Sequence, residues 1–269
     1  MARVGNGTDG EFLRIPPEML LPGKDPKDLI KTIFGDLGNL LSRLDSKQLR
    51  QHAILTPYNK DVNELNDTIT SMLPGDSHES LSSDSIAEDQ PDAALYQVEF
   101  LNQLQPSGIA AHKLMLKVGM PIILMRNLNP AAGLANGTRL IITGVGHRLL
   151  QARIITAGAH ENDDVLLPRI DMSSQETDFP FVLHRRQYAI RPAFAMTINK
   201  AQGQTLDRVG VYLPRPVFAH GQLDVAMTRV GQPDALTIMV SHDPLEGAPQ
   251  DGHVYTSNIV YQEALPPEV

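Results

Sequence analysis

The sequence predicts an α/β protein that carries a small all-β insertion. The runs His52–Leu55 and Val209–Leu213 have the character of strands, whereas apolar residues recur at helical spacing from Leu223 to Val230. Short apolar runs between Leu114 and Ile170 are separated by turn signals such as Asn136-Gly137, a pattern typical of a small β-barrel. We therefore expect a connector with lead-in helices (1–50), an α/β domain (51–97 and 186–269) and an inserted barrel (98–185).

The composition is that of an ordinary globular protein, with 42% hydrophobic and 20% charged residues. The absence of cysteine excludes disulfides and thiolate metal sites. No apolar stretch approaches the length of a membrane span, so we expect no membrane partner. The net charge is -8, so any basic surface for nucleic acid has to be local.

A polar loop, Asn199–Thr205, follows the apolar run Phe194–Ile198. Every side chain of this loop except those of Ala201 and Gly203 can donate a hydrogen bond, and Gly203 permits a positive φ. Such a loop suits a phosphate oxygen. An ordinary polar connector is the alternative.

Arg229 lies off the apolar face of the helix predicted between Gly221 and Val230. A guanidinium held at the end of a packed helix suits a γ-phosphate, because its planar fork is permanently charged. A solvated arginine that interacts favourably with the helix dipole is the other interpretation.

Together these segments resemble the petite-integration-frequency (PIF) ATP-dependent DNA helicases of superfamily one. Ala195–Leu206 resembles their motif V, and Gly221–Val230 resembles their motif VI. Two departures are Asn199, where histidine is common, and Thr228, where serine is common. The lead-in Arg3–Gly7, with the Pro-rich stretch after it, is similar to the Helitron branch of the family.

Two further segments extend the resemblance. Thr56–Asn66 resembles motif IV, although Thr56 is equally compatible with a helix cap. Leu116–Gly146 resembles the SH3-like barrel that these helicases carry inside their second RecA-like domain. The insertion is locally basic, which fits either strand contact or a solvated barrel surface. Its cations are Lys113, Lys117, Arg126, Arg139, Arg148 and Arg153.

The resemblance implies a RecA-like second helicase domain of the P-loop NTPase type with an inserted SH3-like barrel. It also implies ATP with Mg²⁺ as cofactors, single-stranded DNA and duplex junctions as partners, and no resident metal site. Arg229 would act as the catalytic arginine on the γ-phosphate. The residues implied to line the nucleotide are Gln202, Gly203, Gln204 and Thr205. Those implied to face DNA are Thr56, Asn59, Asn199, Lys200, Lys117 and Arg126.

The sequence contains no G-x-x-x-x-G-K-[ST] loop. The resemblance therefore implies that a separate first RecA-like domain holds most of the ATP and Mg²⁺. We expect the second half of a 5′-to-3′ helicase, intracellular and nuclear, that is inactive alone. An inactive single-stranded DNA-binding module and a protein-interaction domain are the alternatives. A hydrolase built on His184 or His220 has no supporting spacing.

Overall fold

A computed structural model describes residues 12–37, 51–86, 96–175 and 179–260. The chain divides into two compact units. One unit takes in the chain up to Met72 and again from Phe194, and the other runs from Leu73 to Ala193. The second unit encloses the predicted insertion, 98–185, and extends beyond it at both ends. Only residues 12–37 of the predicted connector, 1–50, are described.

The described residues form both helices and strands. In chain order they are β1 (Phe12–Arg14), α1 (Pro26–Phe34), β2 (His52–Thr56), α2 (Asn59–Met72), β3 (His78–Leu81), β4 (Ser83–Ile86), α3 (Val98–Gln103), β5 (Lys113–Leu116), β6 (Pro121–Leu124), β7 (Arg139–Val145), β8 (Leu149–Ile154), β9 (Asp164–Ser173), β10 (Leu183–Tyr188), β11 (Ile190–Pro192), β12 (Ala195–Thr197), α4 (Ile198–Ala201), β13 (Arg208–Leu213), α5 (Gln222–Met227), β14 (Leu236–Val240) and β15 (Tyr255–Ser257).

The first unit is built on a four-stranded sheet in the order β12-β2-β13-β14. All neighbouring pairs in this sheet are parallel. The strands are almost entirely buried, as expected for a parallel sheet covered on both faces. The predicted strands at His52–Leu55 and Val209–Leu213 are thus confirmed. The run Phe194–Ile198, which fitted helix or strand, supplies β12 and the start of α4.

Local sequence explains how two helices attach to this sheet. Helix α1 begins with Asp25 as its N-cap, whose carboxylate accepts from the backbone N–H of Lys27. It packs directly on Gly210 of β13, where a side chain would collide with Ile33. Helix α2 is fixed by the buried Asn66, whose Oδ1 accepts from the backbone N–H of Ala195 at 2.9 Å.

The second unit contains a seven-stranded sheet in the order β11-β6-β7-β8-β9-β10-β4. Every neighbouring pair is antiparallel, as the predicted short strands and turns require. Gly137, in the predicted Asn136-Gly137 turn before β7, has a φ of 92°. Strands β3 and β5 pair separately.

The polar segment Ser77–Asp92 reads as a loop in the sequence, and this expectation is wrong for its first half, which forms β3 and β4. Residues 87–92 lie outside the described residues. The strands form because their inward polar groups find partners. Asp84 receives two hydrogen bonds from Arg185, at 2.9 and 2.6 Å, and both side chains are fully buried.

Arg185 also donates to the backbone carbonyls of Leu101, Leu104 and Ala110. A single guanidinium thus joins β10, β4, α3 and the segment after α3. Asp84 is the compensating charge, because the three other acceptors are neutral carbonyl groups. Such a network is stable only when every member is satisfied.

We predict that Asp84→Ala lowers the free energy of unfolding by about 3–5 kcal/mol, because it leaves the buried Arg185 without a counter-charge. Urea denaturation measures this. The matched control is Asp164→Ala, which removes an equally well-formed pair with Arg153 on the surface. A similar loss in both variants would contradict a structural role for the buried pair.

Candidate functional site

The carboxyl ends of β12, β2 and β13 lie at one edge of the parallel sheet, since Thr197 is in register with Thr56 and β2 pairs with β13. Asn199 and Lys200 follow the first of these strands and Asn59 follows the second. All three side chains are exposed. Ligands of open α/β sheets bind at this edge. The structure therefore brings three of the predicted DNA-facing residues to one side of the first unit.

Thr56 differs from its neighbours because it is fully buried at the end of β2. Its hydroxyl has no hydrogen-bond partner among the described residues. It therefore neither caps α2 nor reaches a ligand in this conformation. A direct contact between Thr56 and a phosphate is not supported by its position.

Gln222, at the start of α5, orients the side chain of Asn199. Its Oε1 accepts from the backbone N–H of Phe218 at 3.1 Å, and its Nε2 donates to Oδ1 of Asn199 at 3.2 Å. A backbone N–H can only donate, so Oε1 has to face Phe218. Asn199 consequently accepts with its oxygen and keeps its Nδ2 donors for other partners.

The predicted nucleotide-lining residues form the turn after α4. Gln202, Gly203 and Thr205 are exposed, and Gln204 donates from Nε2 to the carbonyl of Lys200 at 3.2 Å. Gly203 has a φ of 80°, which confirms the expected positive φ. A Cβ at Gly203 would meet nothing within 4 Å, so the backbone conformation alone requires glycine.

Arg229 is joined to this turn. Its Nη1 donates to the carbonyls of Ala201 and Gln204, at 3.4 and 3.2 Å, and its own carbonyl accepts from the N–H of Leu206 at 2.8 Å. Its Nε donates to the carbonyl of Val225 at 2.7 Å. The segments resembling motifs V and VI therefore form one hydrogen-bonded structure, with the guanidinium on the turn.

Arg229 lies just after the end of α5 and interacts electrostatically with Asp224 of that helix. Partial burial raises the pKa of the Asp224 carboxyl, while the positive charge of Arg229 acts in the opposite direction. The Nη2 of Arg229 donates to the hydroxyl of Thr228 at 3.0 Å. Thr228 is exposed, so this end of the guanidinium faces the accessible side of the helix.

Most of the cations in the second unit serve its own structure. Lys117 is buried and its Nζ donates to the carbonyl of Leu73 at 2.6 Å. Arg139 donates to the carbonyl of Ala193, and burial lowers the pKa of its guanidinium to about 10. Lys113 and Arg153 form ion pairs with Glu79 and Asp164. Arg126 and Arg148 are exposed. The surface of the second unit is therefore less basic than its sequence suggests.

The described residues offer no cluster of metal ligands. No group of three or more histidine, aspartate or glutamate side chains in this part of the chain could hold a metal ion. Within residues 12–37, 51–86, 96–175 and 179–260, no helix has the length and apolar character needed to cross a bilayer.

Comparison with known proteins identifies the relatives of this chain. The family described as "DNA helicase Pif1, 2B domain" matches residues 99–145. The human protein called ATP-dependent DNA helicase PIF1 is 30% identical over 194 residues, covering 71% of this chain and 27% of that protein. Its counterpart in Xenopus laevis is 30% identical over 243 residues, covering 89% of this chain and 34% of that protein.

The chain belongs to the Pif1 family. It spans about a third or less of the length of these Pif1 relatives. Among solved structures, Bacteroides Pif1 bound to single-stranded DNA matches with a TM-score of 0.54 and 17% identity, covering 80% of this chain and 49% of that one. This likeness confirms the predicted fold class, the RecA-like second domain of Pif1 proteins with its inserted β unit.

Sequence reasoning missed two residues of the site, Gln222 and Phe218. Gln222 lies inside the segment that resembles motif VI, and Phe218 lies just before it. Gln222 is 2% exposed, and a buried amide needs hydrogen-bond partners, but the sequence shows only a glutamine before the apolar positions of the helix. Gln222 meets Asn199, 23 residues away on another element, so local spacing could not reveal this pair.

We predict that Gln222→Glu, at slightly alkaline pH, inverts the side-chain amide of Asn199. The new carboxylate can still accept from the N–H of Phe218, but it cannot donate to Oδ1 of Asn199. Asn199 then turns its Nδ2 inward as the donor. In NMR spectra its side-chain NH2 signals should become protected from exchange with water, while those of the exposed Asn59 stay unchanged. Unaltered exchange at Asn199 would show that Gln222 does not orient it.

Proposed function

We propose that this chain is the second half of an ATP-dependent 5′-to-3′ DNA helicase motor. The observation that carries the proposal is the hydrogen-bonded junction between Arg229 and the turn Gln202–Thr205. It lies on a parallel sheet whose carboxyl edge gathers exposed polar side chains. The relatives are called ATP-dependent DNA helicases, which supports the same reaction class.

In this proposal Arg229 stabilises the negative charge of the γ-phosphate during hydrolysis. Its Nη2, which now donates to Thr228, is the nitrogen best placed to donate to a phosphate oxygen. The bonds from Nε and Nη1 would hold the guanidinium plane meanwhile. The exposed Gln202, Gly203 and Thr205, with the backbone of Gln204, would line the nucleotide beside it.

A first RecA-like domain would supply the rest of the nucleotide site. The sequence has no phosphate loop with a G-x-x-x-x-G-K-[ST] pattern, and we propose that ATP and Mg²⁺ are held mainly by that domain. The donor set of this chain, an arginine and amide groups, fits phosphate oxygens. ATP supplies the energy of phosphoryl transfer, and this chain would neither hydrolyse it nor unwind DNA alone.

Single-stranded DNA would lie along the carboxyl edge of the sheet. Its phosphates would accept hydrogen bonds from Lys200, from Asn59 and from Asn199, whose Nδ2 is directed away from Gln222. Arg126, on the inserted unit, stays a predicted DNA contact, whereas the buried Lys117 and Thr56 are left out of the direct contacts. Duplex junctions remain a proposed partner. An intracellular, nuclear location and a role in repair, recombination, telomere maintenance or Helitron-type transposition stay predictions.

The test is the DNA-stimulated ATPase rate of the chain mixed with the first RecA-like domain of a Pif1 relative. We expect no hydrolysis by the chain alone and DNA-dependent hydrolysis by the mixture. Arg229→Ala should lower that rate about 10³-fold or more, because the transition-state charge loses its guanidinium.

Arg208→Ala is the matched control, since this exposed arginine begins β13 in the same unit. Its rate should equal that of the unaltered mixture. Hydrolysis by the chain alone that does not depend on Arg229 would overturn the proposal. DNA binding without hydrolysis in any mixture would favour the inactive DNA-binding module.

A further inference from the structure

Three side chains form a cluster beside the proposed DNA-binding edge. The guanidinium carbon of Arg215 lies 4.0 Å from the centre of the Tyr58 ring, and the rings of Tyr58 and Phe218 are 4.8 Å apart with planes 37° from parallel. Tyr58 therefore contacts both Arg215 and Phe218 and links the three side chains into one cluster.

Hydrogen bonds hold Arg215 and Tyr58 in place. The Nη2 of Arg215 donates to both carboxylate oxygens of Asp61 at 2.9 Å, and the Asp61 side chain is only 8% exposed. The Tyr58 hydroxyl donates to the carbonyl of Pro216 at 3.4 Å. Arg215 thus has a counter-charge and an aromatic partner, which hold it beside Tyr58.

The third side chain, Phe218, is accessible to solvent. Phe218 is 49% exposed, although its neighbour Val217 is buried. An aromatic ring that packs on one side and meets solvent on the other offers a flat apolar surface. Because the support beneath it is held by an ion pair, the ring loses little freedom when another planar group stacks on it.

Phe218 is placed in register with Asn199 by Gln222. The same buried amide accepts from the backbone N–H of Phe218 and donates to Asn199. Phe218 also follows β13, the sheet neighbour of β2, whose end leads to Tyr58. The buried amide of Gln222 therefore connects the stacking surface, Phe218, to the proposed phosphate donor, Asn199.

We infer that Phe218 is a base-stacking platform for single-stranded DNA, supported by Tyr58 and Arg215 and fixed beside the phosphate donor Asn199. The inference rests on the proposed DNA-binding function and adds a contact to a base. Every base has an aromatic face, so such a platform holds the strand without selecting a sequence. The occupant has to be planar and linked to phosphate, which a nucleotide of a single strand satisfies.

The experiment measures the affinity of the full chain for oligodeoxythymidylate and for a strand of equal length whose residues are all abasic. Phe218→Ala should weaken binding to oligodeoxythymidylate about fivefold or more, because one stacking contact is lost. On the abasic strand the variant and the unaltered chain should bind equally. Phe218→Trp, which restores a stacking surface, should bind within about twofold of the unaltered chain.

Phe100→Ala is the matched control. Phe100 is 45% exposed and its ring lies 5.9 Å from that of Tyr96, so it repeats the residue type, exposure and aromatic neighbour in the other unit. Its removal should leave both affinities unchanged. Asn199→Ala should weaken binding to both strands, because its contact is to a phosphate.

The outcomes distinguish the stacking platform from the proposed DNA-binding edge. Equal weakening by Phe218→Ala on both strands, or no weakening on either, overturns the stacking platform. If Asn199→Ala weakens binding in that case, the proposed DNA-binding edge still stands. If the unaltered chain binds neither strand, the proposed DNA-binding edge and the platform both fall, whereas the ATPase of the mixture still tests the role of Arg229. Loss of binding in Phe218→Ala that Phe218→Trp does not restore contradicts a role in stacking.

Discussion

The parallel register of β12, β2 and β13 is the constraint on which the site depends. Because these neighbouring strands run in one direction, the residues that follow them meet at a single edge although they come from distant parts of the chain. Gly210 contributes to this arrangement, since only a residue without a side chain lets α1 approach the central strand. The sheet thus sets where a strand of DNA would lie before any polar contact is made.

Hydrogen-bond polarity then determines what that edge can bind. The backbone N–H of Phe218 fixes Gln222, and Gln222 fixes Asn199, so a donor remains for an anion. At the neighbouring turn, the carbonyls of Ala201 and Gln204 hold the guanidinium of Arg229. The carbonyl partners are neutral, so the hydrogen bonds that position the guanidinium of Arg229 do not neutralise its charge.

The sequence was sufficient to predict the elements whose signal is local. The strands around Ile54 and Val211 are continuous apolar runs, and the positive φ of Gly203 follows from its place in a polar turn. Long-range partners explain what it missed. In β4 the buried Asp84 meets Arg185, which is 101 residues away, and in β3 the buried Ser80 meets Gln187, which is 107 residues away. Lys117 looked like a surface cation, yet its ammonium is satisfied inside the second unit by a backbone carbonyl.

The most direct test of the account is the salt dependence of binding between the full chain and oligodeoxythymidylate. If phosphate contacts at the carboxyl edge dominate, the logarithm of the association constant falls linearly with the logarithm of salt concentration. Lys200→Ala should reduce that slope by about 0.7, the share of one phosphate contact on a single strand. Lys27→Ala, on the exposed side of α1, should leave the slope unchanged. A slope near zero, or the same slope in all three proteins, would contradict the claim that this edge binds DNA.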